Sequence, residues 1–560
     1  MKKTYLSFIC CLLALTATAH DRTTTQMQEI AAQQLNITST HKVKAKNTTV
    51  ERIINKPTLS VFSDGNGFAI VSRDDRFPAL LAYGTGCFNK DDMPENVKWW
   101  MEAMQRAMAA HIRNGSSFAR TDSYTAISPI MTTKWGQGTP YNNYAPAIKS
   151  NNGQKAPAGC VAIALAQIMN FQKYPASAEF TGHYYAEGSD ELYTAKVNTT
   201  YAWPYNNYYS YYFPEGSTNY VQVTTSPRQG NLVATLCRDC AYAINMQYTS
   251  TGSGAYTSDV PEGIIYHFGY PETAVRYYYR DFYTDDEWKD IIYGEIAMGS
   301  PFIYSGSDAQ GGAGHAFVAD GMDADGLLHI NWGWSGQFDG YFAFDLLNPD
   351  TDEFSAGQEI VTGIRPYTLD TDIYGSMIYA APYSFSYNNE TKVFGFEETG
   401  IYNYCGKSII GDVGIVCENL TVPDSTIYLG FMETGDTLMN FYGWRAYADS
   451  VEIEFYPGQY RLYFASMDYR ETEWQMARGF GGTFYYEMTV DENGVVTMGS
   501  EPVSPTGIER TIFNQGVANQ PNRRIYNGIY NLKGQRVGED LNGLRKGIYI
   551  QDGKTFIKGE

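Results

Sequence analysis

The sequence predicts an α+β protein in three folded parts: a mixed N-terminal unit, a central α+β unit and a C-terminal all-β module. Three observations carry this. A segment apolar nearly all round, Val161 to Met169, follows a Pro-Ala-Gly loop and reads as a helix buried at the centre of a large unit. Far downstream, His315–Gly321 and Leu327–Asn331 read as two short strands joined by the turn Asp323-Ala324-Asp325-Gly326. After Pro366 the pattern changes to short alternating segments separated by turn residues, the signature of an all-β module.

A chain of 560 residues has room for several domains. Residues 1–19 read as a secretory leader: Lys2 and Lys3, the apolar run Leu6 to Leu15, then the small-x-small site Ala17-Thr18-Ala19. That run is too short to span a bilayer, and no later stretch is long and apolar enough, so no membrane span is expected. Cys10 and Cys11 lie inside the leader, which argues against a lipid-anchored cysteine. A formal charge of −20 argues against nucleic acid or anionic membrane as a partner.

In residues 20–122, Ile53–Asn55, Leu59–Phe62, Gly67–Ser72 and Ala79–Tyr83 alternate as strands. Pro94 then opens a helix from Glu95 to Arg113, with Val97, Trp100, Met101, Met104 and Met108 on one face. Asn114 to Ser128 is polar, aperiodic and contains glycine, an exposed and cleavable linker. Residues 123–366 form the central unit. Its Tyr/Asn-rich stretch Tyr201 to Tyr212 reads as a surface loop, Thr249 to Thr257 as a Gly/Ser/Thr loop, and Phe338-Asp339-Gly340-Tyr341 as a tight hairpin turn before a last strand, Phe342 to Phe344. Residues 367–500 suggest a β-sandwich of about seven strands, with nothing in it that carries chemistry. Residues 501–560 read as a linker and a small terminal module.

Chemistry concentrates at two places. Cys160 is the first residue of the buried helix, where the helix dipole favours an anion and biases a thiol towards thiolate. A glycine-rich loop, Gly311-Gly312-Ala313-Gly314, delivers His315 to the start of a strand. A cysteine on a central helix, a histidine on a later strand and the pair Trp332 and Trp334 on the next form the papain-type arrangement, in which His is distant from Cys in sequence and near it in space.

The motifs themselves resemble one family. Gly159-Cys160-Val161-Ala162 with Ala166-Gln167-Ile168-Met169 resembles the nucleophile helix of the streptopain family of cysteine peptidases. Gly314-His315-Ala316-Phe317-Val318 and Asn331-Trp332-Gly333-Trp334 resemble its histidine and tryptophan strands, and Trp135-Gly136-Gln137 its oxyanion-hole segment. The resemblance covers roughly residues 50 to 365 and departs from the papain signature in placing Val161, not an aromatic, after the cysteine. It implies a papain-like cysteine peptidase fold with an N-terminal α+β prodomain over residues 20–122, and a secreted endopeptidase acting on protein and peptide substrates, made as a self-processing zymogen. Its own propeptide would be its inhibitor, and a last segment resembling a C-terminal sorting module would place it outside the cell or on its surface.

The roles follow. Cys160 attacks as thiolate and His315 moves the proton. The Gln137 side-chain amide and the Cys160 N–H hold the oxyanion. Along a strand, alternate residues face opposite sides, so Asn331 and Trp332 cannot both face the imidazole; the resemblance favours Trp332 as packing support, with Asn331 as rival and Trp334 as shield. By the same resemblance Ser253, with Gly314, offers backbone groups to an extended substrate, in a cleft with little fixed charge that favours an aliphatic residue two before the cut. The propeptide need not fill the cleft; it can act by holding the glycine-rich loop so that His315 sits away from Cys160.

No metal and no cofactor are expected: there is no His-Glu-x-x-His, and Asp320 to Gly326 lacks the twelfth-position glutamate of a calcium loop. Cys237 and Cys240 are spaced as CxxC with no second pair at zinc spacing, and Cys405 and Cys417 are candidates to pair across strands. A papain-like acyl or amide transferase and a noncatalytic adhesin are the alternatives; intact Cys160, His315 and Gln137 count against the adhesin.

Overall fold

The computed structural model describes residues 21–39, 49–86, 88–118, 120, 124–148, 151–189, 191–203, 211–212, 221–222, 226–307, 314–347, 357–432, 436–446, 449–504, 529–531, 536–538, 547–551 and 554–558. The leader, Cys87, Gly311 to Ala313 and most of the stretches 201–212 and 501–560 lie outside them.

A ten-stranded antiparallel sheet organises the first two-thirds of the chain, in the order Glu51–Asn55, Leu59–Ser63, Gly67–Ser72, Leu80–Thr85, Gly340–Phe342, Leu328–Asn331, His315–Met322, Phe302–Gly306, Glu359–Thr362, Arg276–Tyr279. The four N-terminal strands fall within two residues of the positions read from sequence. The sheet does not stop at the boundary drawn at residue 122. Leu80–Thr85 pairs antiparallel with Gly340–Phe342, with Gly84 opposite Gly340 and Tyr83 opposite Tyr341. Two glycines meet there because a Cβ on Gly340 would overlap the Tyr83 carbonyl and one on Gly84 would lie 2.5 Å from the Asp339 carbonyl.

Three α-helices fix the faces of this sheet. Helix α1 (Thr24–Ser39) was not anticipated; its Met27, Ala31 and Leu35 close a small separate core over Phe62, Ala69 and Val71. Helix α2 (Glu95–Arg113) matches its predicted span and covers the other face with Trp100, Met101, Met104 and Met108. Trp100 packs edge-on against Phe342 and donates from Nε1 to the Ala343 carbonyl at 2.8 Å. Helix α3 (Cys160–Gln172) is buried from Val161 to Asn170 on the opposite side of the central strands. It starts after Gly159 at φ 94° and ends at Lys173 in the left-handed region. Behind it lie α4 (Pro227–Ala243) and α5 (Val260–Phe268), while α6 (Asp285–Ala297) packs on the face that α2 covers, with Trp288 edge-on to Tyr304 and Tyr304 stacked on Phe317.

Phe338 to Tyr341 is not a hairpin turn. Phe338 (φ 61°) ends a loop from Trp332, and Gly340 already lies in the strand. The sheet's last strand in sequence is Glu359–Thr362, because Ile360 and Val361 are buried between Phe302–Gly306 and Arg276–Tyr279. Among the described residues from Ile378 onward the chain is β apart from one short helical turn, Pro423–Ser425, in a five-stranded, a three-stranded and a seven-stranded sheet that share the main apolar core and carry a smaller cluster around Val416, Tyr463 and Tyr485, with more strands than the turn spacing marked. A four-stranded sheet follows within residues 529–558.

The CxxC cysteines are structural: Cys237 and Cys240 are buried and free, and the Cys240 thiol lies 3.4 Å from the Met169 sulfur. Cys405 and Cys417 do not pair; both are free, and the Cys405 thiol donates to the Lys407 carbonyl at 2.9 Å. The Asp320 carboxylate accepts from the Met131 N–H at 2.9 Å and meets His329 Nδ1 at 2.6 Å. Among the described residues no helix is long and apolar enough to cross a membrane, and no cluster of His, Cys, Asp or Glu has metal-site geometry.

Candidate active site

Gly159 sets up the position of Cys160. Its positive φ turns the loop sharply into α3, and a Cβ there would lie 2.6 Å from the Met246 side chain. Cys160 is therefore the first helical residue, half-buried, with its thiol against backbone N–H groups of Ala316, Val161 and Cys160 itself. Burial pushes the thiol above its ordinary value, and those N–H groups, which favour thiolate, offset only part of the rise.

The segment Trp135-Gly136-Gln137 is held from two sides. The Gln137 carbonyl accepts from the Ala158 N–H at 2.9 Å, fixing residue 137 beside the loop that leads into Cys160. The Trp135 carbonyl accepts from the Ser335 N–H at 2.9 Å, and Gly136 leaves room for the Ser335 hydroxyl, which a Cβ would meet at 2.5 Å. Half-buried Trp334 precedes this contact. Ser253 is buried with its hydroxyl unpartnered, and a Cβ added at Gly159 would lie 3.2 Å from its carbonyl, so the Gly/Ser/Thr loop stands beside the start of α3.

Asn331 and Trp332 point to opposite faces, as alternation requires. Asn331, paired with Val318, turns towards α3. Its amide donates to the Thr133 carbonyl at 2.7 Å and exchanges contacts with Gln167 at 3.2 and 3.3 Å, while Gln167 accepts from the Trp135 N–H at 3.3 Å. Asn331 is thus engaged with Thr133 and Gln167, next to Trp135, rather than with His315. Trp332 is fully buried on the other face, 4.6 Å from the Phe317 ring, with Nε1 donating to the Phe338 carbonyl at 3.1 Å.

His315 shares strand parity with Phe317, whose ring meets Trp99 of α2. Glu95, in the first turn of α2, acts electrostatically on the imidazole, although burial dominates and lowers its pKa. Among the described residues no hydrogen bond joins the Cys160 thiol to the His315 imidazole. Asn96 of α2, fully buried, donates to the Trp332 carbonyl at 2.9 Å. Sequence reading missed Asn96, Gln167 and Asp339, which accepts from the Trp332 N–H at 3.1 Å. Asn96 and Gln167 carried a signal, being polar residues on apolar helix faces; Asp339 in a loop carried none.

The profile of the Spi protease inhibitor family matches residues 19–108, and that of the peptidase C10 family matches residues 135–342. Streptopain of Streptococcus pyogenes is 30% identical over 378 residues, which cover 62% of this chain and 91% of streptopain. This chain belongs to the peptidase C10 family. It is a cysteine-type peptidase that carries its own inhibitor-like propeptide ahead of the C10 region. Thiol protease/hemagglutinin PrtT of Porphyromonas gingivalis is 34% identical over 335 residues, 55% of this chain, which spans only 37% of PrtT. A solved fragment of Prevotella intermedia prointerpain A is 33% identical and aligns with 57% of this chain and 99% of its own length, with a TM-score of 0.49.

Proposed function

We propose that this C10 peptidase is a secreted endopeptidase made as a zymogen, with Cys160 as nucleophile and His315 as general base and acid. The observation that carries the reading is Cys160 at the first position of buried α3, against the N–H of Ala316, the residue after His315. His315 takes the thiol proton, Cys160 Sγ bonds the peptide carbonyl carbon, and the Gln137 amide with the Cys160 N–H stabilises the oxyanion. His315 returns the proton to the leaving amine, and water releases the acyl group. Trp332 supports the histidine by packing and Trp334 shields the site. Ser253 and Gly314 meet an extended peptide through backbone groups, with an aliphatic residue preferred two before the cut. Asn331 supports the oxyanion segment through Thr133 and Gln167.

Residues 20–122 act as the inhibitor. His315 shares strand parity with Phe317 on the face that α2 covers, Glu95 of α2 acts on its imidazole and Asn96 occupies the Trp332 carbonyl; on this reading α2 holds His315 away from Cys160 until it leaves. The expected cut falls between Asn114 and Ser128. Cys160→Ala should leave a folded, unprocessed precursor with azocasein hydrolysis down at least about 10³-fold, and N-terminal sequencing across an activation time course should find the new terminus in that segment. Full activity in the variant, or in precursor that still begins near His20, refutes the assignment.

A further inference from the structure

The C-terminal module grips the base of the loop beside the nucleophile. The loop around Ser253 runs through Tyr256 into a single helical turn, Thr257–Asp259, and then α5. Two fingers of the module reach this base. From the first, Asn440 Nδ2 donates to the Ser258 carbonyl at 3.1 Å, and the Phe441 ring (φ 58°) meets Tyr277 edge-on at 5.5 Å. From the second, residues 403–408, the Ser408 hydroxyl donates to Glu262 of α5 at 2.8 Å. Gly406 (φ 74°) fits so closely that a Cβ would lie 2.6 Å from Tyr277 and 2.9 Å from Pro261.

Lys407 anchors the second finger. It is buried, and its ammonium donates to the carbonyls of Glu272 at 2.7 Å and Val275 at 3.0 Å across the seam, and to Tyr374 at 2.7 Å on its own side. Three donors meet three acceptors, with the Tyr374 ring 4.1 Å away. Asn403 ties the fingers together, since its amide donates to both Lys407 and Leu438 carbonyls. On the far side, the Thr257 hydroxyl donates to Ser305 at 2.8 Å, on the strand paired with that of His315.

We propose that Asn440 and Lys407 are positioning residues for the peptidase: the module sets how far the Ser253 wall stands from Cys160, and so how tightly an extended peptide is held. This rests on the reading of residues 249–257 as a wall of the cleft. The test uses the full-length chain after activation, with Asn440→Ala and Lys407→Met assayed on a fluorogenic peptide carrying an aliphatic residue two before the cut. A positioning role predicts KM raised about 5-fold or more, with kcat and the iodoacetamide alkylation rate of Cys160 within about 2-fold, since alkylation does not use the wall. Should Lys407→Met fail to fold, Asn440→Ala, at a half-buried site, decides alone. Unchanged KM in Asn440→Ala overturns the proposal, and Tyr256→Ala, on the exposed wall, locates the error. If Tyr256→Ala raises KM while Asn440→Ala does not, the module has no part and the wall reading stands; if neither does, the wall reading falls with it.

Discussion

The seam between the propeptide and the catalytic unit contains a shared β-ladder, whereas the seam between the catalytic unit and the C-terminal module is held, among the described residues, chiefly by side chains, with a backbone bond from the Gly481 N–H to the Asp281 carbonyl at 2.6 Å. At the first, Leu80–Thr85 hydrogen-bonds along Gly340–Phe342 and α2 lays Trp100 on Phe342. At the second, Lys407 reaches the Glu272 and Val275 carbonyls, Arg470 pairs with Glu272 at 2.6 Å, and Arg478 pairs with Glu287 at 3.1 Å. A shared sheet forms or is lost as a unit, because each ladder bond presupposes its neighbours. A set of separate charged clasps can be weakened one at a time. The part that must leave for activity is thus the more cooperatively attached, and cutting the linker is a weaker lever than unfolding or digesting what has been cut.

The largest expected effect concerns the thiol. Burial holds the Cys160 thiol above its ordinary pKa and lowers that of His315, so at neutral pH both are neutral in the precursor. A raised thiol pKa means less thiolate at a given pH, so alkylation of the precursor should be slow near neutrality and climb only as pH rises above the ordinary thiol range. The activated enzyme should react about 10²-fold faster at pH 6–7, with a flatter profile. Coincident pH–rate curves for the two forms would remove the first seam from the control of activity.

Trp100→Ala attacks that seam at its core. It should destabilise the precursor's propeptide seam by about 3–5 kcal/mol and give measurable peptidase activity before cleavage, seen as peptide turnover by uncut chain on a gel-matched assay. Asn96→Ala is milder. It strands the buried Trp332 carbonyl at a cost of about 1–3 kcal/mol, and should show as earlier self-processing with a lowered melting temperature of the precursor only. On the second seam, Arg478→Met removes the Glu287 pair, a bond to the Phe282 carbonyl and a cation–π contact with Tyr283. The expected loss is about 1–2 kcal/mol, equal in precursor and activated enzyme; a loss confined to the precursor would erase the distinction between the seams.

The site was legible where one residue's chemistry needs one backbone feature. Gly159 and Cys160 announce a helix start, and alternation alone requires Asn331 and Trp332 to part. Elements defined by long-range pairing were not legible. Nothing in Leu80–Thr85 says that its partner is Gly340–Phe342, and the two glycines that permit it look like turn residues. That is why Phe338 to Tyr341 reads as a hairpin. Helix α1 escaped because its buried stripe is only Met27, Ala31 and Leu35 in a polar segment. Lys407 escaped because a lysine between polar neighbours reads as solvent-exposed until the carbonyls around it are known.

Removal of residues 20–122 would make Gly340–Phe342 the outermost strand of the sheet. Freshly bared strand edges are where secreted proteins begin to stick to one another. This one offers only three residues and begins with glycine, and Phe338, two residues before it, lies in the left-handed region at φ 61°. An incoming strand would find too short a template to extend. The same glycine that lets Leu80–Thr85 pair closely thus leaves a poor template for further strand addition once that strand is gone.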